Sequence, residues 1–364
     1  MKKEMKHFII TLTYVCFAAF FCVLCICAGL NPVAVSESER RPLAQLPENI
    51  TAEGLFDGSV IEKFDKFTVD QFPLREKFRG LKAAIQYQLL GLKENNGLAL
   101  QEGYFAKITP EFTEGLVSGS IDRLAYVNEK LVTGRTWVCL IPDKNYYLGR
   151  DYGYPAPDYA ALAQKLQAAL PEAEYVDIFD ALTLQSYYRT DTHWRQEALE
   201  EVTYRLCKAL GIPRGENYIQ HTLSGFKGVY YGQSAMSPVP DDLVYLSDST
   251  IVNCSVYDYE TNKTIGIYDR EKFHGKDGYD VFLGGTKALL RIDNPNAETD
   301  RELVVFRDSF GSSLIPLLVQ GYKSIYVVDI RYIVPDAIPH YVDMEGKDTL
   351  FLYSALILNQ KAFK

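Results

Sequence analysis

The chain has 364 residues, 47 acidic and 38 basic, for a formal charge of -9, with 47% apolar and 23% charged side chains. That composition excludes a disordered or fibrous chain. The acidic balance excludes a general nucleic-acid binder, because no basic face is present to neutralise phosphates.

At the amino terminus, residues 8–30 form a run of 23 without a charged side chain. A helix of about 20 apolar residues crosses the hydrocarbon core. Lys2, Lys3 and Lys6 precede the run, while Glu37 and Glu39 follow it. The positive-inside rule therefore places residue 1 in the cytoplasm and the chain beyond the run outside. A cleaved signal peptide is the competing reading, but the run exceeds the usual apolar region of about 7–15 residues, and Cys27-Ala28-Gly29 is a weak cleavage site. Leu24 and Ile26 are too bulky for a lipoprotein site at Cys25 or Cys27. The expectation is an uncleaved, single-pass anchor over 1–30 in the cell membrane. Four of the seven cysteines (Cys16, Cys22, Cys25 and Cys27) fall within it. Cys139, Cys207 and Cys254 remain, odd in number and far apart, so they build no disulfide framework and no zinc site, though the count leaves room for one bridge. Buried thiols are the favoured reading.

Residues 31–60 read as a juxtamembrane linker, punctuated by Asn31-Pro32, Pro42 and Pro47. Helices are expected over 60–68 and 75–92, the second with Phe78, Leu81, Ala84, Ile85 and Leu89 at helical spacing. Helices and short apolar strands then alternate. The reading is helix 118–131, strand 136–141, helix 158–170, strand 174–179 and helix 194–210, halted by Gly211 and Pro213. Strand 302–306, helix 312–320 and strands 324–330 and 349–353 complete the set. Such alternation predicts a mostly parallel sheet covered on both faces, within one α/β domain over 61–364. Residues 214–300 break the rhythm and read as a β-rich insertion, with β-prone runs at 229–231, 256–259, 264–268 and 288–292.

Two segments carry candidate chemistry. Tyr188-Arg189-Thr190-Asp191-Thr192-His193-Trp194 precedes the 194–210 helix, and Phe306-Arg307-Asp308-Ser309-Phe310-Gly311 lies where a strand gives way to a helix. Ligands of open α/β sheets bind beyond the carboxyl ends of the strands, which is where Ser309 falls. The free N–H groups of the following helix suit a negative oxygen there. A serine hydroxyl needs a base to become a nucleophile, and His193 is the best candidate, since an imidazole's unperturbed pKa lies near neutrality. In an extended backbone Asp191 projects to the same side as His193 and orients its ring. The plainer reading makes Asp191 and Asp308-Ser309 helix caps and His193 a surface side chain. The two segments together favour catalysis over capping. A metal pair at Asp191 and His193 lacks the third ligand that zinc needs.

These segments resemble the DHHW-motif proteins, related to the alginate O-acetylation proteins of the SGNH hydrolase superfamily. Asp191-Thr192-His193-Trp194 matches the Asp-His-His-Trp signature with Thr192 in place of the first His, and Arg307-Asp308-Ser309-Phe310 matches the nucleophile segment. Gln71-Phe72-Pro73-Leu74-Arg75, Pro142-Asp143-Lys144 and Asp329-Ile330-Arg331-Tyr332 resemble further family pieces. The resemblance implies an SGNH-hydrolase-like three-layer sandwich without a cofactor. Its catalytic set is Ser309 as nucleophile, His193 as base and Asp191 as orienter, in the permuted chain order of the alginate proteins. It further implies an extracytoplasmic O-acyl transferase or esterase, with acetyl as the group, a cell-surface polysaccharide as substrate and a membrane-bound acyltransferase as donor. Leu283-Gly284-Gly285-Thr286 resembles the oxyanion-hole stretch, with Thr286 where Asn is expected. The Ser309 N–H is a second donor. Arg331, Tyr332 and Arg189 are further substrate candidates, with Lys144 and Tyr147 weaker ones whose side chains are expected in solvent.

Of the 26 tyrosines, the pairs Tyr187-Tyr188 and Tyr230-Tyr231 are candidates for sugar stacking. The competing function is a non-catalytic SGNH-like protein that holds glycan or acts as a scaffold. A Ser309 Oγ more than about 5 Å from the His193 ring would favour it, since catalytic hydrogen bonds are roughly 3 Å long. A lipid esterase is a third reading, disfavoured by the polar, Tyr-rich insertion.

Overall fold

The computed structural model describes residues 2–363; the side chains of residues 2–4, Phe21 and Cys25 are outside the description, and the expectations for residue 1, Lys2, Lys3 and Cys25 lie there. The chain forms two compact units: residues up to 92 with 232–237, and residues 93–231 with 238 onwards.

The first unit opens with the helix Lys2–Leu30, whose stretch Met5–Leu30 is long and apolar enough to cross a membrane. Residues beyond it are ordered by polar contacts. Val35–Ser36 pairs with Arg41–Pro42, and Arg41 forks onto Asp70 at 2.9 and 2.6 Å. The bond to Arg41 holds the Asp70 carboxyl below its usual range. Helices Ser59–Asp70 and Arg75–Ala84 follow, the latter running into a widened π turn, Ile85–Leu89.

In the second unit, eight strands form the central sheet: β1 (Thr136–Ile141), β2 (Glu174–Tyr175), β3 (Ser255–Asp258), β4 (Lys263–Ile265), β5 (Leu289–Asp293), β6 (Glu302–Arg307), β7 (Ser324–Val328) and β8 (Asp348–Ser354). Their order is β4-β3-β5-β7-β6-β8-β1-β2. The five strands from β7 to β2 run parallel, while β5, β3 and β4 add antiparallel pairs. The period-2 alternation of strand side chains sorts the core into two layers. Leu303 and Val305 of β6 face a core shared with Val202, Leu206 and Leu210 of the helix Glu200–Leu210. Val304 and Phe306 face the other core, shared with Leu124 of Glu114–Leu131 and Leu166 of Tyr159–Ala169. The result is the three-layer α/β sandwich implied by the resemblance.

Several local expectations are corrected. The region 214–300 holds short antiparallel strands as expected, and three of them join the main sheet at its edge. Its remaining hairpin, Ile219–Phe226 with Asp241–Ser247, had no clear β pattern in sequence. Residues 229–231 begin a short helix, Val229–Gln233, because the backbone turns there toward Thr190. The helix expected from Trp194 starts only at Glu200, after a 3-10 turn at Gln196–Ala198. Lys144–Tyr152 is a helix that the sequence reading omitted, capped by Asp143 accepting from the Asn145 N–H at 2.7 Å. Cys139, Cys207 and Cys254 are buried free thiols, and burial raises the pKa of all three.

Candidate active site

Ser309 stands just past the carboxyl end of β6, in the turn before the short helix Gly311–Leu314. Asp308 holds that turn. Its Oδ1 accepts the Phe310 N–H at 3.0 Å, and its Oδ2 accepts the Ser354 N–H and hydroxyl at 2.9 and 2.6 Å. The turn that carries Ser309 is thereby fastened to the end of the neighbouring strand β8. Ser309 is half-buried, and no hydrogen bond among the described residues occupies its N–H.

The loop carrying Asp191 and His193 arrives from the other side. His193 Nδ1 lies 2.6 Å from Asp191 Oδ1, and His193 Nε2 lies 2.8 Å from Ser309 Oγ. Asp191 is buried, and burial opposes its charge. The His193 ring and N–H bonds from His193 (3.0 Å) and Val229 (2.8 Å) outweigh that burial and hold the carboxyl well below its ordinary range. An ionised carboxylate accepts only, so Nδ1 carries the proton toward Asp191, and Nε2 is left to accept from Ser309. The geometry differs from the extended segment expected: the backbone bends at 189–193 and Asp191 accepts the His193 N–H. The bend brings carboxylate and ring together more tightly than strand alternation would.

Second-layer contacts supply what motif reading missed. Tyr279 stacks on the His193 ring, with centroids 3.8 Å apart and planes 6° apart, and its hydroxyl donates to Ser313 at 2.8 Å. Trp194 Nε1 donates to the Phe310 carbonyl and to Ser313, each at 3.0 Å. Asp241 accepts the N–H groups of Arg189 and Thr190 at 3.0 and 2.8 Å and the Thr190 hydroxyl at 2.6 Å. Gly228 packs where a Cβ would overlap Asp191 and the Thr190 carbonyl. Trp194 and Thr190 stood in the segment singled out from the sequence, Gly228 and Asp241 showed only as turn residues in a loop-rich stretch, and Tyr279 carried no signal.

Lys144 is buried rather than solvated. Its Nζ donates to the Phe105 carbonyl and, at 2.9 Å, to the Tyr188 carbonyl, and it lies over the Tyr230 ring. Burial lowers its pKa to about 7, against the pull of Asp191, Asp241 and Asp143. Tyr147, Tyr187, Tyr188 and Tyr230 are buried too. Core packing, not sugar stacking, is thus their role, because their rings are enclosed in the protein interior.

The other candidates are spread more widely. Arg331 forks onto the buried Asp329 at 2.8 and 2.6 Å and lies over the half-exposed ring of Tyr332. Arg307 is buried 3.9 Å from the same carboxylate. Gly285 spends its N–H on the Phe282 carbonyl at 3.2 Å, and Thr286 is exposed. No described hydrogen bond joins either residue to Ser309. Arg189 is half-exposed, 3.6 Å from Asp241, on a polar cavity of about 430 Å³ shared with Arg195, Glu197 and Asp242. Among the described residues no group of three His, Cys, Asp or Glu side chains forms a metal cluster.

Solved structures resemble the chain in fold. A DHHW family protein from Eubacterium siraeum DSM 15702 superimposes with a TM-score of 0.61 at 24% identity, covering 74% of this chain and 94% of that one. Bacillus cereus PatB1 with a sulfonyl adduct gives a TM-score of 0.54 at 18% identity, covering 73% and 99%. The O-acetyltransferase domain of Pseudomonas putida AlgJ gives 0.45 at 14% identity, covering 73% and 93%. No curated protein matches the chain. Over residues 181–328, the stretch that holds Asp191, His193 and Ser309, the chain matches the DHHW protein family, and its fold is the one seen in the first two of these structures.

Proposed function

We propose that the chain is an extracytoplasmic serine-dependent O-acyltransferase or esterase acting on a cell-surface polysaccharide. The observation that carries this reading is the unbroken line from Asp191 through His193 to Ser309, at 2.6 and 2.8 Å. The second distance lies within catalytic hydrogen-bond reach and speaks against the non-catalytic reading.

His193 Nε2 takes the Ser309 proton as Oγ bonds the acyl carbon. The tetrahedral oxyanion meets the Ser309 N–H, in the turn that leads into the following helix. Its collapse breaks the acyl–oxygen bond, and His193 returns the proton to the departing alcohol. In the second half a sugar hydroxyl, or water, gives its proton to His193 and bonds the acyl carbon; the Ser309 Oγ–acyl bond then breaks, and His193 returns the proton to Oγ. Asp191 stabilises the imidazolium formed in each half. Acetyl is the acyl group, and a membrane-bound acyltransferase the donor, that the family resemblance implies. The helix Lys2–Leu30 serves as anchor, with the second unit outside the cell.

Purified full-length chain in detergent should hydrolyse an activated acetyl ester and should transfer acetyl to a glycan. A fluorophosphonate should label Ser309, as read by mass spectrometry. Full turnover by Ser309→Ala, or a label placed elsewhere, would sink the assignment.

A further inference from the structure

The segment after the anchor carries an uncovered apolar stripe. Phe78, Leu81, Ile85 and Leu89 follow one another at spacings of 3, 4 and 4 along one side of the helix Arg75–Ala84 and its π turn, and Leu74 stands at the cap before them. The four are 52, 55, 39 and 77% exposed, and Leu74 is 64% exposed. The opposite side is tied down within its own unit. Arg75 pairs with Glu39, Arg79 donates to the Gly232 and Gln233 carbonyls at 3.1 Å each, and Ala83 is fully buried. At about 100° per residue, Lys77 and Lys82 fall on the two edges of the stripe, and both are exposed. An apolar face edged by lysines is the pattern of a helix lying in a bilayer interface. The aliphatic stems then cover apolar surface while the ammonium groups reach the headgroups.

The stripe's position points to the same ligand. The Val33 N–H donates to Gln71 Oε1 at 2.8 Å, and Gln71 Nε2 donates to the Val33 carbonyl at 2.8 Å. Val33 is three residues past the end of the apolar helix, and Gln71 is three before Leu74. Three residues reach at most about 11 Å. This double clamp therefore keeps the start of the stripe within about 30 Å of the point where the anchor ends. We propose that residues 74–89 lie on the surface of the membrane that the anchor crosses, with the stripe in contact with lipid. This rests on the reading of Lys2–Leu30 as a membrane-crossing helix. An apolar groove on a partner protein is the competing occupant. Lysines on both edges and the clamp to Val33 favour lipid.

The test uses the full chain alone in vesicles of phosphatidylethanolamine and phosphatidylglycerol. A small fraction of the lipid carries a photoactivatable diazirine near the top of its acyl chain, and adducts are mapped by mass spectrometry. Adducts are expected both in 5–30 and in 74–89. Combining Leu81→Gln, Ile85→Gln and Leu89→Gln should cut the second set about tenfold and leave the first unchanged, with no loss of thermal stability. Adducts confined to the anchor would overturn the proposal and leave the stripe to a protein partner. No adduct in 5–30 would overturn the anchor reading, and the proposal with it.

Discussion

His193 Nε2 lies 2.8 Å from Ser309 Oγ across 116 residues of sequence. The contact is held from both ends. Asp308 fastens the turn that carries Ser309 to Ser354, while Asp191, Tyr279 and Lys144 hold the ring and its loop.

Asp191→Asn should keep the fold and lose the rate. An amide in that place favours the wrong imidazole tautomer and no longer stabilises the cation. The expected fall in kcat is on the order of a thousandfold or more. Steady-state hydrolysis of an activated ester measures it, and a loss under tenfold would contradict the assigned role.

Tyr279 separates stacking from hydrogen bonding. Tyr279→Phe keeps the ring over His193 and removes only the bond to Ser313, so activity should hold within a few-fold at a stability cost of about 1 kcal/mol. Tyr279→Ala removes a buried ring, for roughly 3–5 kcal/mol, and frees the imidazole to turn. Denaturant melts and kcat on the two variants give the comparison.

At Gly228 the constraint is space. The added methyl of Gly228→Ala would overlap Asp191 and the Thr190 carbonyl, so the carboxylate must move away from His193. A displacement near 1 Å is worth about a hundredfold in rate. Turnover in Gly228→Ala should therefore fall by tenfold or more, a larger loss than the variant's change in melting temperature would explain.

Lys144 makes stability depend on pH. Burial sets its folded pKa at about 7, against about 10.4 when unfolded. Between those values the unfolded chain holds a proton that the folded chain does not, so stability should rise with pH from about 7 to about 10. Both carbonyl contacts survive the change, because a neutral amine still has two N–H donors. Lys144→Met should flatten the slope in urea melts between pH 7 and 9. An unchanged slope would show that another group sets it.

Much of the scaffold was legible because its signals are local. TWVCLI at 136–141 is a strand of just those bounds, and ELVVF lies within β6. Ser309 at the strand end follows from the same pattern. Other features depended on neighbours distant in sequence. Glu174–Tyr175 is a strand for two residues only, because β1 pairs with it no further. Lys144 carries no mark of burial in a stretch read as surface. Tyr187 and Tyr188, read as sugar platforms, are core rings. The 31–60 stretch, rich in turn residues, is ordered by Arg41, Glu39 and Asp70, whose pairing no periodicity reports.

By itself the sequence determined the apolar run, the alternation of strands and helices, and the two segments that carry Asp191, His193 and Ser309. Each of these is written in neighbouring residues, through side-chain period and turn chemistry. Tertiary structure decided the remainder: which side chains meet, which edge strands join the sheet, and which polar groups lose water. Those outcomes are set by burial and by hydrogen bonds between segments up to 246 residues apart, so only the folded chain settles them.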